Sequence, residues 1–330
     1  MEALHRMIRP PPWTYDESTG RLRTFHRGRP RSGPDQTPDN AAFFGERETD
    51  THLARNLPFL ERNIRRARLY SGRIIRSSVL PAPRHPCLFM HMPKCGGTSI
   101  AEAMYATVPL GRGVAVIDAV STRRAAAIYE FGRDEALLCH EDHPHGDKVF
   151  DLRERLMLQQ MAWGAWLIHG HVLYSEKADA HFGQRFRYVT LLRDPVDRMI
   201  SNYRMAVNAA VVPEGLDAYL DTPVARSHAQ VYLRYLSGQT VVPDADIPAK
   251  LALAQSRLAR FAVVGFLNDL PAFQQRYLSV FGVPLRIKTY NQGKGQKPTL
   301  TADQTDKIAT LTAPDQAIFD TALRTIGTQA

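Results

Sequence analysis

Residues 87–106 read CLFMHMPKCGGTSIAEAMYA, and this stretch decides the fold. The apolar run at 87–92 predicts a buried strand, and the residues after the two glycines predict a helix. Glycines let backbone N–H groups approach a ligand, and the start of a helix favours negative charge. Lys94 adds a cation, and Thr98 and Ser99 add hydrogen-bond donors. The stretch therefore predicts a strand–turn–helix cradle for a phosphate or sulfate ester.

The order of residues in this turn differs from that of the nucleotide-binding P-loop. The P-loop has a glycine, four residues and then Gly-Lys-Ser/Thr. Here Lys94 precedes Gly96 and Gly97, and no matching arrangement of Mg²⁺ ligands is evident. On this stretch alone, an ordinary strand-to-helix turn with an exposed lysine stays open as the alternative.

Strand and helix patterns alternate from about His85 onward. Strands are predicted at 87–92, 166–171, 187–192, 261–266 and 285–289. Helices are predicted at 98–106, 119–131, 195–208, 227–236, 271–281, 302–311 and 315–325. Such alternation indicates an α/β fold with a mainly parallel central sheet covered by helices on both faces. Ligands of such sheets bind beyond the carboxyl ends of the strands.

The chain has 330 residues and a formal net charge of +9. We predict a polar extension with little independent structure at 1–50, a basic amphipathic helix and linker at 51–84, and the main domain at 85–330. Residues 1–84 hold sixteen arginines and nine acidic residues. Such a basic face suits an acidic glycan, a membrane surface or nucleic acid, and an arginine-rich coding bias explains it equally well.

The three cysteines do not suggest a disulfide framework. No apolar run is long enough to cross a bilayer, and the N-terminus lacks the apolar core of a signal peptide. These features together predict a cytoplasmic protein.

A second candidate anion site follows the strand at 187–192. Arg193 ends this strand, Asp194 can cap the next helix, and Pro195 suits its first turn. Ser201 lies about two turns into the helix, so Arg193 and Ser201 could bracket one phosphate. The alternative for this segment alone is a well-capped helix whose Arg193 makes a structural ion pair.

Taken together, the two motifs resemble those of the carbohydrate sulfotransferases, especially the group with the heparan and uronyl 2-O-sulfotransferases. The resemblance implies a P-loop-like three-layer fold. It also implies 3′-phosphoadenosine 5′-phosphosulfate (PAPS) as the sulfuryl donor, a carbohydrate acceptor, no required metal and no nucleic-acid partner. The implied donor-binding residues are Lys94, Cys95, Gly96, Gly97, Thr98, Ser99, Arg193 and Ser201. Cys95 stands where many relatives have threonine, which removes one hydroxyl.

Residues 166–174, WLIHGHVLY, resemble the His-Gly-His segment of the same group. The resemblance implies that His171 is the general base, and a histidine pKa of about 6.5 suits proton removal at neutral pH. His169 is expected on the same face of the strand, as a substrate-positioning residue. Two structural histidines at a strand end are the alternative, and which histidine is the base stays open.

A second histidine cluster lies at 139–145, CHEDHPH. Its spacing matches no standard zinc pattern, so we expect a polar loop in which His140 and His143 contact the acceptor. Glu141 and Asp142 are alternative bases, because some sulfotransferases use a carboxylate.

The role of the loop at 291–298 stays open. The loop at 291–298 is rich in donors, and the resemblance implies that Lys294, with Lys297, closes over the nucleotide. An exposed turn explains these lysines nearly as well.

The alternatives to a sulfotransferase are a nucleotide-dependent kinase and a noncatalytic protein that binds acidic glycan.

Overall fold

The structure, a computed structural model, describes residues 13–16, 21–24, 59–78, 80–208, 212, 214–287 and 299–327. The chain separates into two compact units, at 1–39 and 40–330. In the first unit, strands β1 (Trp13–Asp16) and β2 (Arg21–Thr24) pair antiparallel, with Trp13 opposite Thr24. These strands lie in the segment for which the sequence predicted little structure.

The second unit is built on five parallel strands. They are β3 (Cys87–Met90), β4 (Val114–Ile117), β5 (Leu167–Gly170), β6 (Arg187–Leu192) and β7 (Val263–Phe266). Their spatial order is β4-β5-β3-β6-β7. The α/β fold with a parallel sheet flanked by helices is therefore confirmed. Strand β4, a four-residue edge strand, was not predicted.

Helices connect and cover the strands. They are α1 (Phe59–Ser78), α2 (Gly97–Tyr105), α3 (Ala119–Phe131), α4 (Gly146–Trp163), α5 (Glu176–Phe182), α6 (Pro195–Asn208), α7 (Leu216–Leu220), α8 (Pro223–Ala229), α9 (Val231–Ser237), α10 (Ile247–Leu258), α11 (Leu270–Phe281) and α12 (Ala302–Gly327). Short 3₁₀ turns lie at Ala136–Cys139 and Asp244–Asp246. Helices α4, α5, α7 and α10 were not predicted.

Alternating side chains of the strands feed two apolar layers. Phe89 and Val189 face a layer formed with α2 and α11, where Met104 and Phe273 are fully buried. The apolar residues next to Phe89 and Val189 in these strands face the opposite layer. There the sheet packs against α3, α4, α9, α10 and α12. The sheet thus has helices on both faces, which is the three-layer arrangement that the sequence indicated.

A predicted strand and a predicted helix break are wrong. The described part of the strand expected at 285–289, residues 285–287, has no regular secondary structure; Leu285 instead packs in the layer with α2 and α11. Helix α12 continues through Pro314, where the sequence predicted a break between two helices. Buried contacts of the next residue, Asp315, hold the middle of this helix against α6 and α9.

Helix α1 covers part of the basic helix and linker predicted at 51–84, and residues 51–58 lie outside the described part. Arg73 fixes α1 to the segment that follows α2, because its guanidinium donates to the carbonyls of Val108, Pro109 and Arg112 at 3.0–3.2 Å. Among the helices that the structure describes, none combines the length and apolar character needed to cross a bilayer.

Candidate functional site

The predicted motifs meet at one edge of the sheet. Strand β3 lies between β5 and β6, and both pairings are parallel. The first turn follows β3, the His-Gly-His segment ends β5, and the second motif follows β6. After β3 the chain forms β4 and β5 on one side of β3, and it then forms β6 and β7 on the other side. The direction of strand order thus reverses at β3, and open α/β sheets bind ligands at such a topological switch point.

The turn between β3 and α2 has an unusual backbone. Lys94 has φ 62° and Gly96 has φ 75°, both in the left-handed region. A side chain at Gly96 would also place a Cβ 2.7 Å from Leu267 Cδ1. Lysine at positive φ costs about 1–2 kcal/mol, so the fold holds Lys94 in a conformation that its own preferences oppose.

Gly97 lets a histidine lie directly against the start of α2. A Cβ at Gly97 would lie 2.1 Å from Cδ2 and Nε2 of His91. The His91 ring is buried and stacks on Phe89, with a centroid distance of 5.7 Å and an interplanar angle of 10°. The two glycines therefore serve different contacts, which spacing alone does not reveal.

The start of α2 is suited to an anion. Gly96 provides no side-chain cap, and the first turn of the helix has no acidic residue. Thr98 and Ser99 in this turn are half-buried. Lys94 Nζ lies 3.4 Å from Met205 Sδ on α6, so the lysine side chain extends toward the second motif. N–H groups, hydroxyls and one ammonium thus lie along a short stretch of chain, as a phosphate or sulfate requires.

The Cys95 thiol points into the protein interior. It is fully buried, with Sγ 3.4 Å from the Tyr232 hydroxyl and 3.6 Å from the Pro93 carbonyl. Burial raises the pKa of this thiol. Of the predicted donor-binding residues, Cys95 is therefore the one whose side chain packs behind the turn. All three cysteines are free and buried.

The second motif folds as a capped helix start. Asp194 Oδ1 accepts from the Asp197 N–H at 2.9 Å, so the predicted cap is confirmed. Arg193 Nη1 donates to the Lys94 carbonyl at 3.3 Å, which joins the two motifs directly. Ser201 lies half-buried on α6.

Tyr232 on α9 links the same two segments from behind. Its hydroxyl accepts from the Arg193 N–H at 2.8 Å and donates to the Arg193 carbonyl at 2.5 Å. With the contact to Cys95, one fully buried hydroxyl touches both motifs. Sequence reasoning missed Tyr232, and its position on a separate helix left no spacing signal.

A buried ion pair anchors α6. Arg198, the arginine inside the second motif, pairs with Asp315 at 2.9 Å, and both side chains are fully buried. Arg198 also donates to the carbonyls of His228 and Ala229. Burial raises the pKa of Asp315 to about 6. Arg198 therefore holds α6 against α8 and α12, and Asp315 was a further residue that the sequence did not indicate.

Three buried histidines lie together at the ends of β3 and β5. The His91 ring lies 4.5 Å from that of His171 and 6.3 Å from that of His169. His169 also packs edge-on against Tyr105 of α2 at 5.4 Å. Both predicted histidines thus contact a third one, His91, which belongs to the first motif.

The main chain sets the tautomer of His171. Its Nδ1 lies 2.7 Å from the His91 carbonyl oxygen. A carbonyl only accepts, so Nδ1 carries a proton, and in the neutral ring the lone pair is therefore on Nε2. This is the state that a general base requires.

The segment at 139–145 is held by ion pairs. Although burial opposes ionisation, the charges of Arg123 and Arg153 hold the pKa of Glu141 below its usual range. Burial likewise opposes ionisation of Asp142, and its contacts with His228 and Arg234 keep its pKa well below the usual range. Both carboxylates are thus occupied by cations, which disfavours them as the base.

His140 and His143 of this segment lie side by side. Burial lowers the pKa of His140 to about 3, and its Nδ1 accepts from the Asp142 N–H. The half-buried His143 ring lies 5.3 Å from that of His140. Within the described part of the chain, no group of three or more His, Cys, Asp or Glu residues could hold a metal ion. Lys294 and Lys297 lie outside the described residues, so their predicted role stays a prediction.

No protein-family model and no curated protein matches this chain.

Proposed function

We propose that this protein is a sulfotransferase that moves a sulfuryl group from PAPS to a hydroxyl of a carbohydrate. The observation that carries the proposal is the meeting of two cationic turns and a histidine on three adjacent strand ends. The hydrogen bond from Arg193 to the Lys94 carbonyl makes the two turns neighbours. A donor with a phosphosulfate at one end and a 3′-phosphate at the other needs two anion sites of this kind.

The residues present fit such a donor. Lys94, the N–H groups at the start of α2, Thr98 and Ser99 would bind the phosphosulfate. Arg193 and Ser201 would bind the 3′-phosphate. The helix start has no side-chain cap or acidic residue that would compete with an anion. Arginine suits the phosphate because its donors form a fork.

Charge and proton movements follow from these positions. His171 Nε2 takes the proton of the acceptor hydroxyl, whose oxygen forms a bond to sulfur. The bond between sulfur and the bridging phosphate oxygen breaks, and adenosine 3′,5′-bisphosphate leaves. Lys94 and the amides of α2 stabilise the charge that grows on the leaving oxygen, which is a catalytic effect of positioning and electrostatics.

The decisive experiment is transfer of label from ³⁵S-PAPS to a panel of glycans, beside calorimetry with adenosine 3′,5′-bisphosphate. We expect binding of the nucleotide, transfer that persists in EDTA, and in His171→Ala a fall in transfer of about 10²–10⁴-fold with nucleotide binding unchanged. Absence of nucleotide binding by folded protein would overturn the proposal. EDTA-sensitive transfer of phosphate from ATP would favour a kinase, and glycan binding without any transfer would favour a noncatalytic role.

The acceptor is proposed as a carbohydrate on the resemblance of the motifs. Contact of the basic N-terminal region with an acidic glycan or a membrane surface, and a cytoplasmic location, also remain predictions. Deletion of residues 1–58 followed by the same glycan panel would test the first of these.

A further inference from the structure

Arg153, at the middle of α4, contacts the main chain of the proposed base. It is fully buried, and its Nη1 donates to the carbonyl of His171 at 3.1 Å. Nε donates to Thr122 Oγ1 at 2.9 Å, and Nη2 donates to the Ala119 carbonyl at 3.1 Å and to Glu141. One rigid guanidinium thus ties the end of β5 to the start of α3 and to the segment at 139–145.

We propose that Arg153 is a positioning residue for sulfuryl transfer, which sets the location of the His171 imidazole through its hydrogen bond to the His171 carbonyl. The proposal rests on the proposed function, because it assumes that His171 is the base. Arg153 touches neither substrate, and it acts only through His171.

The geometry around His171 supports this assignment. Regular strand pairing ends at Gly170, and the Val172 N–H bonds back to the Gly170 carbonyl at 3.1 Å, so His171 lies at the centre of a tight turn. Its ring is fixed by the His91 carbonyl and its main chain by Arg153. With both contacts the imidazole has one position and one tautomer.

The charge of Arg153 is balanced by Glu141. Glu141 pairs with Arg153 and also with Arg123, whose Nε donates to Glu141 Oε2 at 2.7 Å. The pairing compensates the buried charge of Arg153, because an unpaired arginine inside the protein would be strongly unfavourable. Glu141, which the sequence offered as an alternative base, therefore holds Arg153, and Arg153 in turn holds His171.

The test is a double-mutant cycle of Arg153→Lys and His171→Ala, measured by ³⁵S transfer. Lysine keeps the charge beside Glu141 but cannot make four hydrogen bonds in a planar fork. We expect Arg153→Lys to lower kcat about tenfold to a hundredfold with an unchanged KM for PAPS, as a displaced reacting group does. In the His171→Ala background the same change should alter the rate less than about twofold, since contacting residues couple strongly.

Arg257→Lys is the matched control. Arg257 is also buried, pairs with Glu176 and donates to a main-chain carbonyl, that of Leu236, at 3.0 Å. Its effect on the rate should multiply with that of His171→Ala. If Arg153→Lys multiplies in the same way, the positioning role is wrong.

A readout without turnover separates this role from the proposed function. In ¹⁵N-histidine NMR spectra, we expect His171 with Nδ1 protonated in the wild type and mixed tautomers in Arg153→Lys. An unchanged His171 spectrum in the variant would overturn the positioning role even if the wild type transfers sulfate. A wild type that transfers nothing would overturn the proposed function and leave the structural effect of Arg153 measurable.

Should Arg153→Lys fail to fold, Thr122→Val removes one partner of the guanidinium while keeping the shape of the side chain. We expect it to lower kcat severalfold and to show the same lack of effect in the His171→Ala background. A loss that multiplies with His171→Ala would count against the proposal.

Discussion

Replacing Gly97 by alanine should damage the site although helix propensity predicts a benefit. Alanine is about 1 kcal/mol more favourable than glycine inside a helix. The added Cβ, however, would lie 2.1 Å from two atoms of the His91 ring, and real Cβ contacts essentially never fall under 3.0 Å. The ring must therefore move by at least about 0.9 Å, a crowding of a packed interior that costs about 1–3 kcal/mol.

The movement of His91 reaches the proposed base. The His91 ring lies between Phe89 and His171, and the His91 carbonyl holds Nδ1 of His171. A displacement of about 1 Å can lower a rate about a hundredfold. We therefore expect Gly97→Ala to lower ³⁵S transfer by about that factor and, after the gain in helix propensity is subtracted, the melting temperature by up to about 4 °C.

Gly111→Ala is the control for this prediction. Nothing lies within 4 Å of a Cβ at Gly111, and its φ is not in the left-handed region. Alanine there restricts the unfolded chain, so stability should be unchanged or slightly higher and transfer unchanged. The reasoning is refuted if Gly97→Ala transfers sulfate within twofold of the wild type, or if both variants behave alike.

Three further predictions address other parts of the site. Lys94→Ala and Lys94→Gly should both lower transfer a hundredfold or more, because each loses about 3 kcal/mol of transition-state stabilisation. The glycine variant should melt at a higher temperature than the alanine variant, because glycine relieves the backbone strain at φ 62°. Equal melting temperatures of the two variants would contradict the strain argument. Tyr232→Phe should lower the free energy of unfolding by about 1–3 kcal/mol and weaken nucleotide binding in calorimetry, because the Arg193 main chain loses a buried partner. The control Tyr129→Phe, at an exposed position, should change neither stability nor nucleotide binding. The pKa of His140 is about 3 in the folded protein and about 6.5 in the unfolded chain, so the unfolded chain binds the proton first as the pH falls. The free energy of unfolding is therefore highest above about pH 6.5, and His140 lowers it by about 2 kcal/mol at pH 5. Urea titrations should show a smaller difference between pH 8 and pH 5 in His140→Gln, and an unchanged difference would exclude this origin.

The main architecture was readable from the sequence because it depends on local signals. Each of β3, β5 and β6 is a short apolar run followed by a turn residue or a polar group, and parallel strands bring such ends to one edge. The cap at Asp194 was equally local. The edge strand β4 carries only four residues with one face exposed, so its pattern was too short to identify.

The contacts that organise the site could not be read in the same way. Tyr232 and Arg153 reach the motifs from α9 and α4, and nothing in the sequence near the motifs specifies which helix packs behind them. The continuity of α12 through Pro314 has the same cause. Tertiary contacts of Asp315, absent from any local window, outweigh the lost main-chain hydrogen bond.

The central place of β3 has a consequence for synthesis of the protein. Its two neighbours begin 80 and 100 positions later, since Cys87 pairs with both Leu167 and Arg187. A ribosome adding about 5–20 residues per second needs roughly 5–20 s to supply the second partner. During that time a nascent apolar strand with two open edges is available to chaperones and to other unfinished chains. The yield of active protein should therefore rise when chaperones are overproduced in the same cells.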